Sequence, residues 1–389
     1  MVTFRHPRSN PRDSMLAVWA NGERVGTWSH LQGEHRFEYA PEWPGSPLGR
    51  RLSLSLPFTP GNVPHRGDVV RNFFDNLLPD SDAIRRRMAE KFSLERSDTF
   101  DLLAAIGRDC VGSVQLLPLE LTPEGFDRIE SVPLDEAGVE AAIDSAVSAA
   151  RVMGQRAGEE FRISIAGAQE KTALLWQDGC WHMPLHATPT THIFKLPLGL
   201  VGHMRADMHD SVENEWLCGR IMSLLGFAVA PAEIAVFGAR KVLVVERFDR
   251  AIQAPPHGPK WIARLPQEDF CQALGVAGSR KYESEGGPGV RDVLRVLDTS
   301  SQAVHDKLTF VRAQLAFWIM AATDGHAKNF SIFLERGGGY HLTPLYDVLS
   351  AWPIIGNGPN QISPHRAKLS MAVRGKNAHY HLHEIHTRH

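Results

Sequence analysis

The chain has 389 residues, 43% hydrophobic and 22% charged, an ordinary globular composition long enough for two or three domains. A net charge of −2 and a pI near 6.8 exclude the basic footprint of a free-standing nucleic-acid binder. Four cysteines without a CxxC pair exclude a disulfide or zinc framework and point to a reducing cytoplasm, and no run approaches the roughly 18 apolar residues of a membrane span.

Residues 1–14 read as a loose leader. From Met15 to Trp28, Asn21-Gly22 separates two alternating apolar runs, a hairpin signal. Strands are expected at His35–Tyr39, Leu52–Leu56 and Val111–Leu117. Helices are expected over Phe73–Phe92, with Asp80-Ser81-Asp82 as a cap, and over Phe100–Ile106. This β-rich unit, taken as residues 15–120, holds no cluster of catalytic residue types and reads as a structural or partner-docking module.

A second unit is assigned to residues 121–253. Asp135–Met153 is an expected helix. The turn Ser164 to Glu170 lies between two strand-like runs. It is either an ordinary hairpin or a loop laying backbone N–H groups along phosphates, although it has one glycine where such loops usually have three. His192–Pro197 is an apolar strand containing Lys195, a costly placement unless the ammonium reaches solvent or an anion. Asp210–Leu225 is an expected helix with Val212, Trp216, Ile221, Leu224 and Leu225 on its apolar face. Glu215 in its first turns either pairs with Lys195 or favours the helix dipole from solvent. Lys241–Arg250 is a buried strand ending in a charged cluster, suited to a hinge.

The third unit, residues 254–389, is expected to be rich in helix. His305–Ala322 is its central helix, with Leu308, Val311, Leu315, Trp318 and Ala322 on one face. It delivers Asp324. Asn329 follows five residues later, and Asp347 stands alone after a strand-like run. That spacing is either turn chemistry or a kinase's base and metal ligands: one carboxylate to take a hydroxyl proton, and an amide oxygen and a carboxylate for Mg²⁺. His379, His381 and His383 alternate in a tail that reads as polar and basic; the other reading is three imidazoles on one strand face.

Several stretches carry a family resemblance: PLGRRLSLSLP, FFDNLLPDS, FDLLAAIGRD, RISIAGAQEKTALL, TPTTHIFKLP, VENEW, VVERFDR, RLPQEDFCQ, KYESEGGPG and ATDGHAKNFSIFL with LTPLYDVLSA. In this order the sequence closely resembles the HipA family of toxin kinases from bacterial toxin–antitoxin modules. The resemblance implies an α+β, two-lobed kinase-like fold with an added N-terminal subdomain, and an ATP- and Mg²⁺-dependent serine/threonine protein kinase in the cytoplasm. It makes Asp324 the catalytic base and Asn329 and Asp347 the Mg²⁺ ligands. Lys195, His326, Lys328 and the loop Ile165, Ala166, Gly167, Ala168, Gln169 and Glu170 would face the nucleotide. Glu246 and Phe248 would meet adenine through backbone atoms, and Asp249 the ribose. Ser164 would be autophosphorylated, ejecting the loop and switching the kinase off.

The implied partners are a HipB-type helix-turn-helix antitoxin dimer, operator DNA through that complex, and an aminoacyl-tRNA synthetase, best known as the glutamate enzyme, as substrate. Arg366, Lys368, Arg374 and Lys376 are candidates for touching DNA phosphate in the complex. Family chains usually continue for several helices past the point matched by His389, which implies a shorter C-lobe here. Two other readings stand beside the active toxin: a non-catalytic antitoxin-binding corepressor, and a metal-dependent hydrolase using Asp324, His326 and Asp347.

Overall fold

A computed structural model describes residues 13–148, 164–167, 169–202, 205–373 and 380–386. The N-terminal unit contains β1 (Asp13–Ala20), β2 (Glu23–Leu31), β3 (Glu34–Tyr39), β4 (His65–Arg66), α1 (Asp68–Asp75), α2 (Asp82–Lys91), α3 (Thr99–Ile106) and β5 (Gln115–Pro118). Its antiparallel sheet runs β4-β3-β2-β1-β5. Asn21 and Gly22 have φ of 47° and 84°, the positive pair that matches a tight hairpin to strand twist. The helices close over a core of Trp28, Phe37, Phe73, Phe74 and Phe100. Trp28 stacks on Phe74 with ring centroids 4.0 Å apart.

The helix expected over Phe73–Phe92 is two helices. Pro79 interrupts the run, and α2 restarts behind Ser81, whose side chain accepts from Ile84 N–H. The non-helical Leu77–Asp80 link becomes important at the site. Leu52–Leu56 forms only an isolated bridge, Ser53 to Leu56, in place of the expected strand.

The next unit contains β6 (Ser131–Leu134), α4 (Glu136–Val147), β7 (Lys171–Gln177), β8 (Cys180–Pro184), β9 (His192–Lys195), β10 (Gly199–Val201), β11 (Ala206–Met208), α5 (Ser211–Leu224), β12 (Ala232–Phe237) and β13 (Arg240–Glu246). Six strands form one antiparallel sheet in the order β12-β13-β9-β7-β8-β6. Helix α4 covers it through Val139 and Ile143 against Leu174, Phe194 and Val242, while α5 packs on β12 and β13.

The remaining unit is helical with small sheets: β14 (Arg250–Gln253), β15 (Trp261–Arg264), β16 (Gln267–Asp269), α6 (Phe270–Ala273), α7 (Val290–Leu297), α8 (Ala303–Met320), β17 (Ser331–Leu334) and β18 (Tyr340–Leu342). Strands β16, β17 and β18 form one sheet beside the core of Phe270, Phe310, Phe317 and Phe330.

Both expected helix faces need correction. In α8 the buried apolar positions are Phe310, Ala313, Ala316, Phe317 and Met320, whereas Leu308, Val311 and Leu315 are 48–58% exposed. In α5 the buried face is Val212, Glu215, Cys218 and Met222, and Trp216, Leu224 and Leu225 face outward. Both helices are apolar on two sides, so apolar spacing alone does not choose the core face.

Candidate active site

The six-stranded sheet and the helical unit line a cleft that opens to solvent. Lys195 ends β9 opposite Lys171 of β7 and is 4% exposed. Its Nζ donates to Glu215 Oε1 at 2.6 Å and contacts Asp347 Oδ1. An ammonium here would be prohibitive alone; the two carboxylates compensate it. Helix α5 holds both ends of this arrangement. Glu215 reaches the lysine, and the neighbouring Asn214 exchanges hydrogen bonds with Ser350 O and N at 2.8 and 2.9 Å. Main-chain bonds from Ala230 N to Leu345 O and from Leu345 N to Ala228 O, each 2.9 Å, fix the segment leading to Asp347. Asp347 itself has φ of 56°, a sparsely populated conformation for a residue with a Cβ and typical of constrained functional positions.

The opposite wall begins where α8 ends. Ala321, in a left-handed conformation, closes the helix. Asp324 is half exposed, and Tyr282 Oη donates to its Oδ1 at 2.6 Å. His326 Nε2 lies 3.7 Å from the same oxygen. Burial lowers the His326 pKa to about 4, so the ring is neutral at pH 7. Asn329 Nδ2 donates to Asp324 O at 2.7 Å. That bond orients the amide and leaves its oxygen as the group able to accept a cation. With the Asp347 carboxylate, this supplies two hard oxygen donors, a set that fits Mg²⁺ completing its shell with waters and phosphate oxygens.

Ser164 is fully buried. Its hydroxyl donates to Leu77 O at 2.7 Å, and its N–H to Asp109 O at 3.1 Å. Ile165, Ala166, Gly167 and Gln169 line the cleft; Ala168 lies outside the described residues. Gly167 has φ of 111°, a conformation that residues with a Cβ rarely adopt, and a Cβ there would also displace the end of the Lys171 side chain. Lys171 Nζ donates to Ala166 O at 2.7 Å. The Glu170 side chain turns to Arg87 of α2 instead of the cleft.

At the hinge, Glu246 and Phe248 line the cleft. Phe248 packs on Phe333 and Tyr346. Asp249 also lines the cleft, yet it is 3% exposed and strongly engaged. Arg247 Nε and Nη2 donate to its two oxygens at 2.9 Å, and Gly112 N–H donates at 2.7 Å. Burial works to raise the Asp249 carboxyl, but Arg247 and Arg250 outweigh it and hold the carboxyl well below the usual range. Asp109, contacted by Arg247, Arg250 and Arg264, completes this buried cluster.

The N-terminal unit contributes to the site, contrary to its reading as a docking or structural module alone. Asp80 lines the cleft with its carboxylate between Lys328 Nζ at 2.6 Å and Lys281 Nζ at 2.8 Å. Lys171, Lys281 and Tyr282 also escaped the sequence reading. Lys171 and the KYESEGGPG stretch were visible as words, but the partners lie far apart: Asp80 and Lys328 are separated by 248 positions.

Kinases require a lysine for phosphate oxygens and a carboxylate for a hydroxyl proton on facing walls of one cleft, and the fold and cleft define that class here. Residues 16–117 match the HipA N-terminal domain family, and residues 163–389 match the HipA-like C-terminal domain family. The chain belongs to the HipA family and is a kinase of that family. It is 35% identical over 341 residues to the Y4mE protein of Sinorhizobium fredii (strain NBRC 101917 / NGR234), named as a candidate kinase, covering 86% of this chain and 77% of that one. It is 28% identical over 325 residues to the serine/threonine-protein kinase toxin HipA of Shewanella oneidensis, covering 80% and 69%. The solved complex of Shewanella oneidensis MR-1 HipA, HipB and operator DNA includes a chain that matches with a TM-score of 0.73 and 25% identity, covering 95% of this chain and 82% of that one.

The hydrolase reading has no metal cluster to stand on. Among the described residues no group of three His, Cys, Asp or Glu side chains gathers to hold a metal, and Asp347 meets Lys195. His379 lies outside the described residues, as do Arg374 and Lys376. No helix among the described residues is long and apolar enough to cross a membrane.

Proposed function

We propose that this kinase is the toxin of a toxin–antitoxin pair, transferring the γ-phosphoryl of ATP to a serine or threonine hydroxyl of an aminoacyl-tRNA synthetase, the glutamate enzyme being the first candidate. The observation that carries the ATP reading is Lys195 held by Glu215 and Asp347 across the cleft from Asp324 and Asn329. Lys195 and Lys328 hold phosphate oxygens, and Glu246 and Phe248 offer backbone groups to adenine. Asn329 and Asp347 hold Mg²⁺, which when bound neutralises charge on the phosphates. Asp324 accepts the proton of the acceptor hydroxyl as its oxygen bonds to the γ-phosphorus and the bond to the ADP oxygen breaks. Tyr282 occupies one Asp324 oxygen, leaving the other for the acceptor.

Ser164 is proposed as an autophosphorylation site that switches the kinase off. Its hydroxyl is sealed against Leu77 O, so phosphorylation requires the loop to leave, and the dianion formed does not fit back beside a buried carbonyl. A HipB-type antitoxin dimer is the proposed partner, with operator DNA bound through it. The relative's complex with HipB and operator DNA supports this, as does a net charge that leaves most DNA affinity to the antitoxin. The cytoplasm is the corresponding location.

The test incubates wild type and Asp324→Asn with ATP, Mg²⁺ and the purified synthetase, followed by phosphosite mass spectrometry. Transfer by wild type, reduced about 10²–10⁴-fold in the variant, supports the reading. Equal traces from both proteins overturn it. Antitoxin and operator binding without nucleotide binding would favour the corepressor instead.

A further inference from the structure

The segment Leu77–Asp80 belongs to the N-terminal unit but touches both walls of the cleft. Toward the phosphate loop it offers two main-chain groups: Leu77 O accepts from Ser164 Oγ at 2.7 Å, and Asp80 N–H donates to Gly167 O at 3.0 Å. Toward the catalytic wall it offers the Asp80 carboxylate, 14% exposed, to Lys328 at 2.6 Å and Lys281 at 2.8 Å.

Both lysines adjoin residues of the proposed transfer chemistry. Lys328 precedes Asn329, and its carbonyl accepts from Tyr346 Oη at 2.9 Å. Lys281 precedes Tyr282, whose hydroxyl holds Asp324. Lys328 Nζ has one further contact, Asn76 O at 3.4 Å. Asn76 is itself tied across the units, donating to Val276 O at 2.9 Å. Without Asp80, the two ammonium groups would lose the carboxylate they share, and Lys328 would keep only the charge of the nearby Asp269.

We propose that Asp80 is a positioning residue for phosphoryl transfer, contributed by the N-terminal unit, which sets Lys328 and Lys281 against the transferring phosphate. This rests on the kinase reading above. The N-terminal unit is then part of the catalytic apparatus in addition to any docking role. A purely structural staple would show itself in stability alone. A positioning residue acts where charge moves in the transition state, so its loss falls on kcat more than on nucleotide binding.

Wild type, Asp80→Asn and Asp80→Glu are compared as full chains. Calorimetry measures binding of a non-hydrolysable ATP analogue with Mg²⁺. ADP formation and phosphate incorporation at saturating ATP give the rate, and a melting curve monitors folding. Asp80→Asn is expected to lose about a hundredfold in rate while analogue affinity moves by no more than about threefold; Asp80→Glu recovers part of the rate. An active wild type with an unchanged Asp80→Asn rate overturns this proposal alone. So does a loss of melting temperature with the rate intact, or a rise in analogue affinity showing that Asp80 competes with phosphate. A wild type that neither binds analogue nor transfers phosphate overturns the kinase reading and this proposal together. If Asp80→Asn does not fold, Asp80→Glu decides: a slower rate at equal affinity supports positioning, and an equal rate overturns it.

Discussion

Two charge clusters lie within this fold, and they are built on opposite principles. At the hinge, Asp109 and Asp249 meet Arg247, Arg250 and Arg264, whose side chains are 2% exposed. Thr190 Oγ1 donates to Asp109 and Gly112 N–H to Asp249, and Cys110 O accepts from Arg247 and Arg250. Every carboxylate there has a guanidinium, a planar donor suited to fixed bidentate geometry. On the other walls of the cleft the cations are lysines, Lys195 with Glu215 and Asp347, and Lys281 and Lys328 with Asp80, and all of these but Glu215 line a space open to ligand. A lysine is a point charge on a flexible stem and can exchange a carboxylate for a phosphate. The hinge ties each of its charges into hydrogen-bonded pairs. The cleft holds its charges in pairs that a nucleotide and a metal can rearrange.

Mutation separates the two. Asp249→Ala leaves three buried guanidinium groups with the single carboxylate of Asp109 and is expected to lower unfolding free energy by about 3–5 kcal/mol in urea denaturation. Asp249 was also expected to contact the ribose. If the variant keeps its stability and loses ATP affinity instead, the carboxylate belongs to the nucleotide and the contrast with the cleft fails at this residue. Glu215→Gln should act in the reverse sense. Asp347 still faces Lys195, so stability falls by only about 1 kcal/mol, while the displaced ammonium lowers kcat/KM for ATP by about a hundredfold. A stability loss as large as that of Asp249→Ala would mean that the cleft pair is a structural element like the hinge.

The same contrast explains what was legible in the sequence. Lys195 and Glu215 are 20 positions apart on a strand and the helix that follows, and local order along the chain was enough to suggest their pairing. Asp324, Asn329 and Asp347 followed from spacing as candidates, and their common cleft became visible only in the structure. Asp80 stayed hidden because Pro-Asp-Ser at a helix start is ordinary cap chemistry, and both lysines it meets lie in the third unit. The hinge cluster was hidden for the same reason: Asp109 is 138 positions from Arg247. Helix α8 misled because Leu308, Val311 and Leu315 have the same spacing as the buried Phe310, Ala313 and Phe317.

The smallest effect, and the sharpest probe of a cleft made for rearrangement, is a proton. Burial, with Lys195 opposite, lowers the Lys171 pKa from 10.5 to about 7. Between those values the unfolded chain holds a proton that the folded chain has lost. The Lys171 contribution therefore makes stability rise with pH from about 7 to 10.5, with the full cost of charging the buried amine carried below about 7. Phosphate oxygens brought beside Lys171 favour its charged form and reverse the shift. At pH 8, binding of an ATP analogue with Mg²⁺ is then expected to take up close to one proton, about 0.9 for a group moved from a pKa near 7 to well above 8. Calorimetry in two buffers of different ionisation enthalpy measures that number, and Lys171→Met should abolish it while the hinge is untouched. Uptake that persists in the variant would assign the proton to another group. No uptake in wild type would mean that phosphates do not reach Lys171, leaving its loop contact to Ala166 O as its role.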